Sequence, residues 1–276
     1  TNHLSHFVLI LPFLRKFFVS LKRNFLFMPR YFTELAYNGT PYNGWQIQPN
    51  APSVQQELNR AFSTLLRQEI SLTGAGRTDT GVHAAFFVAH FDVPTSLQDI
   101  SQTIYKMNRL TDKSIAIYSI YPVQPEAHAR FSALSRTYKY FINKFKNPFT
   151  EEYAIRTYPL PDLQKMNEAC RILFEYTDFT SFSKLHTDTK TNNCKILKAE
   201  WTDTGEQLVF TIQADRFLRN MVRAIVGTML EIGQGKISIA ELKNIIESKD
   251  RCRAGNSVPG KALFLWDIKY PEEIKI

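Results

Sequence analysis

The stretch GAGRTDTGVHA, residues 74–84, decides the fold through the element that follows its three glycines. A glycine-rich loop that cradles a phosphate opens a helix, because the free N–H groups of the helix N-terminus meet the anion. Here the chain from Val82 onward alternates like a strand, and Gly74-x-Gly76-x-x-x-x-Gly81 matches neither a dinucleotide nor a P-loop spacing. The stretch therefore links two short strands, at about 69–74 and 82–93. Its glycines let a ligand approach the backbone that carries Arg77 and Asp79.

Working outward, Tyr31–Tyr37 alternates as a strand and ends at the turn Asn38-Gly39. Ser53 caps a helix, with Gln56 placed for a capping box and Val54, Leu58, Ala61, Phe62 and Leu65 in one apolar stripe. A helix at about 97–109 and a strand at about 115–121 complete a first half. The second half repeats the order: a strand at Arg136–Ile142, a helix from Asp162 to about Tyr176, and strands at 195–201 and 206–213. Helices at 217–232 and 238–248 and a strand at 262–270 follow. Each half reads β-α-β-β-α-β, the split βαβ pattern. The expected class is α+β: two ferredoxin-like or RNA-recognition-like lobes sharing one mostly antiparallel sheet. They span residues 29–125 and 126–276, after an extra basic and apolar tail at 1–28.

The triplet Asp79-Thr80-Gly81 recurs as Asp203-Thr204-Gly205, which raises the question of a carboxylate dyad. Two such aspartates would sit on equivalent loops and share a proton. Asp203 instead falls in a hairpin turn, where Asp and Gly serve the backbone. Asp79 precedes the third strand of its half, whereas Asp203 follows the corresponding strand. Arg77, two residues before Asp79, supplies a cation that favours a charged, unshared carboxylate. The expectation is one working aspartate.

The net charge of +8 is concentrated at one end: residues 1–30 hold five basic side chains and no acidic one, which leaves the remainder at +3. A nucleic-acid partner must then be argued from placed arginines. Cys170, Cys194 and Cys252 form no CxxC pair, and His83 and His90, seven apart, lack zinc spacing, so no metal site is expected. The apolar run HFVLILPFL is too short to span a bilayer and carries Pro12. The tail has three readings: an upstream start before Met28, an organellar presequence, or a basic RNA-binding arm.

GAGRTDTGVHA resembles the catalytic signature of the TruA-type tRNA pseudouridine synthases. The match continues in Gly44-Trp-Gln46 with Gln48, Val54-Gln55, Ala129–Ala133, Arg136-x-Tyr138-x-Tyr140, Asp178–Phe182, Phe217–Gly227 and Leu263-Phe-Leu265. It covers about residues 30–272, in the family's order. The resemblance implies isomerisation of uridine to pseudouridine at positions 38 to 40 of the tRNA anticodon stem-loop, by a cytoplasmic homodimer that needs no cofactor and no metal. It makes Asp79 the catalytic aspartate, attacking ribose C1′ or taking the C2′ proton; the sequence leaves both open. Arg77 would fill the space of the flipped base or hold its phosphate. Tyr138, otherwise a strand tyrosine sharing a face with Tyr140, would pack on the target base and assist proton removal at C5. Arg223 would pair with Asp79. On a helix from 217, Arg216, Arg219 and Arg223 would share one side, the first two meeting RNA phosphates.

Overall fold

A computed structural model describes residues 28–184 and 191–276. The readings of the N-terminal tail therefore concern residues that lie, Met28 apart, outside the described ones. Within them the chain is mixed α+β, built on one nine-stranded, mostly antiparallel sheet. The first half contributes β1 (Arg30–Tyr37), β2 (Thr73–Gly74), β3 (His83–Asp92) and β4 (Ile115–Val123), with α1 (Val54–Leu66) and α2 (Ile100–Leu110). The second contributes β5 (Ser135–Asn143), β6 (Ile155–Arg156), β7 (Ile196–Asp203), β8 (Gln207–Ala214) and β9 (Leu263–Lys269). Its helices are α3 (Leu163–Ile172), α4 (Met221–Gly233) and α5 (Ile239–Ser248).

The strand order is β4-β1-β3-β9-β5-β8-β7, with β2 beside β3 and β6 beside β5. The halves meet where β3 runs parallel to β9, through only two residue pairs, His83 with Phe264 and Ala84 with Leu265. The buried apolar side chains form two clusters, one drawn mainly from each half, with Leu265 and Ile268 of β9 joining the first and Val82 the second, and Tyr138 packs against both. The seam of the sheet is thus also the seam between two cores.

The helices start where the sequence supplies caps. Ser53 accepts from the Gln56 amide at 3.3 Å, Asp99 from Gln102 at 2.8 Å, Asp162 from Lys165 at 3.1 Å and Ser238 from Glu241 at 3.1 Å. Three expected elements differ. The strand at 69–74 shrinks to Thr73–Gly74, because side chains of α1 take the backbone before it: Ser63 bonds the Ile70 amide and Asn59 the Leu72 amide. The helix from Asp162 ends at Ile172 and continues as a short 3₁₀ turn. The helix expected from 217 starts only at Met221, because Asn220 is left-handed, with φ of 67°. Arg216 and Arg219 therefore lie on the turn before α4, and the three-arginine face of one helix does not exist. The apolar stripe Val222, Ile225, Met229 and Ile232 is buried as expected.

Candidate active site

The GAGRTDTG loop, between β2 and β3, lies beside the sheet seam and is held from both sides. Gly44, at φ of 92°, brings its backbone so near that a Cβ there would stand 2.2 Å from the Thr78 carbonyl oxygen. The Trp45 amide donates to that same oxygen at 3.3 Å, and the Gly81 amide to Tyr42 O at 3.3 Å. Trp45 stacks on Phe87 at 4.1 Å and lies so close over Gly74 that no side chain fits there. From below, the buried Tyr37 hydroxyl and Thr78 Oγ1 share a hydrogen bond of 2.8 Å. On the second-half side, Gly260 presses against Thr80.

His83 closes the junction. Its Nδ1 accepts the Gly39 amide at 3.0 Å, so its other nitrogen carries the proton and donates to Lys261 O at 3.0 Å. Burial lowers its pKa, which keeps the ring neutral as this pattern requires.

So held, the loop presents a half-buried Asp79 to the second half. Arg223 Nη1 donates to Oδ2 at 3.3 Å, and Arg219 Nε stands 3.8 Å from Oδ1. Arg223 is itself fixed, because its Nε donates to Val258 O at 2.6 Å. Tyr138 flanks them, edge-on to Phe217 at 5.1 Å, and its hydroxyl bonds nothing among the described residues. Desolvation pushes that phenol up to about 12, with Arg136 opposing and Asp79 adding to the shift.

The other expected residues fall less simply. Arg77 is exposed and makes no ion pair with Asp79; it lines a neighbouring cleft instead. The cations on Asp79 come from the start of α4 and the turn before it. Arg219 thus belongs to the aspartate at least as much as to solvent. Arg216 donates to Thr191 O at 3.1 Å. Asp203 sits in the β7–β8 hairpin, paired with Lys144 at 2.7 Å, so the two aspartates have separate cations and no dyad forms.

Two contributors were given no role by the sequence. The segment Val258–Lys261 forms the wall that fixes Arg223, His83 and, through Pro259 O, the Tyr140 hydroxyl. All three contacts use backbone carbonyls, which leave no mark in a sequence. Arg136 was visible as a motif position without a role. Its guanidinium donates to the carbonyls of Ala75, Arg130, Ala133 and Asp215 and so ties the loop to both adjoining turns. The Asp178–Phe182 motif, by contrast, is packing: Phe179 and Phe182 are fully buried and Ser181 bonds Ile245 O of α5.

A lone aspartate gripped by arginines at an open seam, with further exposed arginines beside it, defines an enzyme site for a polyanionic substrate. A family model described as tRNA pseudouridine synthase matches residues 169–271. The chain is 57% identical to tRNA pseudouridine synthase A of Parabacteroides distasonis over 247 residues, 90% of this chain and 98% of that one. It is 57% identical to the Bacteroides fragilis protein of the same name, over 89% of this chain and 98% of that one. It is 39% identical to that of Bacillus subtilis, over 86% and 97%. The chain belongs to the tRNA pseudouridine synthase family.

Proposed function

We propose that the chain isomerises uridine to pseudouridine at positions 38 to 40 of the tRNA anticodon stem-loop, with Asp79 as its catalytic aspartate. The observation that carries this is the Asp79 carboxylate held by Arg223 and Arg219 at the end of a clamped loop, beside Tyr138. The reaction breaks the bond from ribose C1′ to base N1, turns the base, and rejoins it through C5 with loss of the C5 proton. A carboxylate oriented by Arg223 and lying in the field of Arg219 suits either attack at C1′ or removal of the C2′ proton. Tyr138, a neutral phenol at pH 7, offers a ring for the flipped base and a hydroxyl to relay the C5 proton. Arg77 and Arg216 serve the phosphates around the flipped nucleotide.

We further propose two ferredoxin-like lobes, residues 29–125 and 126–276. The first half's strands run fourth-first-third-second, and the second half's run in the same order once the two-residue β6 is set aside, which supports that reading. A homodimer in the cytoplasm, working without metal or organic cofactor, completes the proposal. Among the described residues no helix is long and apolar enough to cross a membrane, and no cluster of His, Cys, Asp and Glu could hold a metal ion. Tritium release from tRNA labelled at uridine C5 tests the activity, and mapping the product tests the position. Asp79→Asn should abolish release while tRNA affinity stays within a few-fold; residual turnover near wild type would remove Asp79 from the chemistry.

A further inference from the structure

Beside the GAGR loop lies a cleft of about 200 Å³ whose lining includes Gln46, Gly76, Arg77, His128, Arg130 and Phe131. Its composition is unusual in three ways. First, it contains no acidic side chain, while Arg77 and Arg130 are exposed and form no ion pair among the described residues. Second, Phe131 is 76% exposed, although burying so large an apolar ring would stabilise the fold. Third, a Cβ on Gly76 would meet nothing within 4 Å, and its φ lies outside the left-handed region, so nothing inside the chain calls for glycine.

The turn that carries the exposed ring is tied down through its backbone. His128 Nδ1 accepts the Arg130 and Phe131 amides at 3.1 and 3.3 Å, the Ser132 amide donates to His128 O at 2.9 Å, and His90 Nδ1 accepts the Ala129 amide at 3.1 Å. The Arg130 guanidinium stands 5.4 Å from the Phe131 ring centre. Arg136 joins this turn to the catalytic loop through Arg130 O and Ala75 O, so the backbone that carries Phe131 is tied to the backbone that leads to Asp79.

We propose that this cleft is a second nucleotide subsite, which takes one unpaired nucleotide flanking the target uridine of the tRNA. The base stacks on Phe131, Arg130 and Arg77 meet the adjoining phosphates, and Gly76 lets the RNA backbone pass close to the loop. The inference rests on tRNA being the substrate. A second copy of the chain would also cover Phe131, but the unpaired cations and the absence of acids favour RNA.

Steady-state tritium release with Phe131→Ala, Phe131→Trp and Arg130→Gln tests this, with wild-type turnover as the check on the activity itself. Losing one base stack should raise KM for tRNA about tenfold in Phe131→Ala, with kcat changed less than about threefold. Phe131→Trp should restore the wild-type KM. Arg130→Gln should lower the slope of log KM against log salt by about 0.7–0.9. An unchanged KM in a folded Phe131→Ala protein overturns the proposal. So does a shift of that variant's mass in solution with no change in KM, which would assign Phe131 to a protein contact.

Discussion

Arg223 and Arg219 hold Asp79 in different ways, and that difference sets what their loss does. Arg223 is half-buried and braced by Val258 O, so it fixes the carboxylate's direction; Arg219 is exposed and 3.8 Å away, and contributes mainly field. An ion pair that is solvent-facing adds little, whereas a braced, partly buried one orients the reacting group. Arg223→Gln should therefore lower kcat/KM about 10²–10³-fold, Arg223→Lys less, and Arg219→Gln about tenfold or less, all by tritium release. Equal losses for Arg219→Gln and Arg223→Gln would reject this division. Asp203 gives the contrast. Its carboxyl lies below the usual range because Lys144 and the Gly205 amide bond it, yet it sits at the exposed tip of a hairpin. Asp203→Asn should leave turnover within about twofold of wild type; a large loss would restore the paired-aspartate idea. The sequence marked Asp79 because a family signature is a run of side chains. Spacing alone pointed to Arg77, which is a neighbour in sequence only: the chain turns it outward, and Arg223, 144 positions away and named through the resemblance rather than the spacing, makes the pair.

At the level of elements, the start of α4 depends on close packing more than on helix propensity. Phe217 to Gly227 reads as one continuous helix, but Asn220 at φ of 67° and the Leu218 O to Met221 N turn delay it. Leu218 and Met221 both go into the core, and only a break between them lets Arg219 point at Asp79 while Arg223 comes round one turn later. Periodicity locates the apolar stripe of such a helix; it does not locate an end set by a left-handed asparagine. Gly227 then admits the segment that braces Arg223, since a Cβ there would stand 1.9 Å from Asn256 O. Gly227→Ala should push that strand of backbone off α4, costing about 1–3 kcal/mol in denaturant unfolding, and should lower kcat along with Tm. Gly76→Ala, with open space around it, should leave Tm where it was. A Gly227→Ala protein as stable as wild type would show that the segment shifts freely and that Val258 does not position Arg223.

Across the whole molecule, the two halves touch through a short parallel seam, and side chains complete what two residue pairs of one strand pairing begin. The individual strands and helices were legible because each carries its own pattern. The seam was not, because it is made of carbonyls, glycines and neutral histidine nitrogens. His90, on β3, is one such tie: its Nδ1 accepts the amide of Ala129, on the turn that leads into the second half. Burial, with Arg30 and His128 adding to it and Asp92 opposing, pulls its pKa from 6.5 to about 4. A histidine that folds neutral and unfolds with an ordinary pKa binds more protons when unfolded between those values. Its contribution is therefore complete above about pH 6.5 and is lost as pH falls toward 4, where the protonated ring must also give up the Ala129 bond. Wild-type Tm should fall steadily across that window. His90→Gln, which can accept the same amide without taking up a proton, should start lower at pH 7 and fall less steeply. Parallel Tm curves for the two proteins would mean that other groups carry the acid sensitivity, and that the tie between the halves does not titrate through His90.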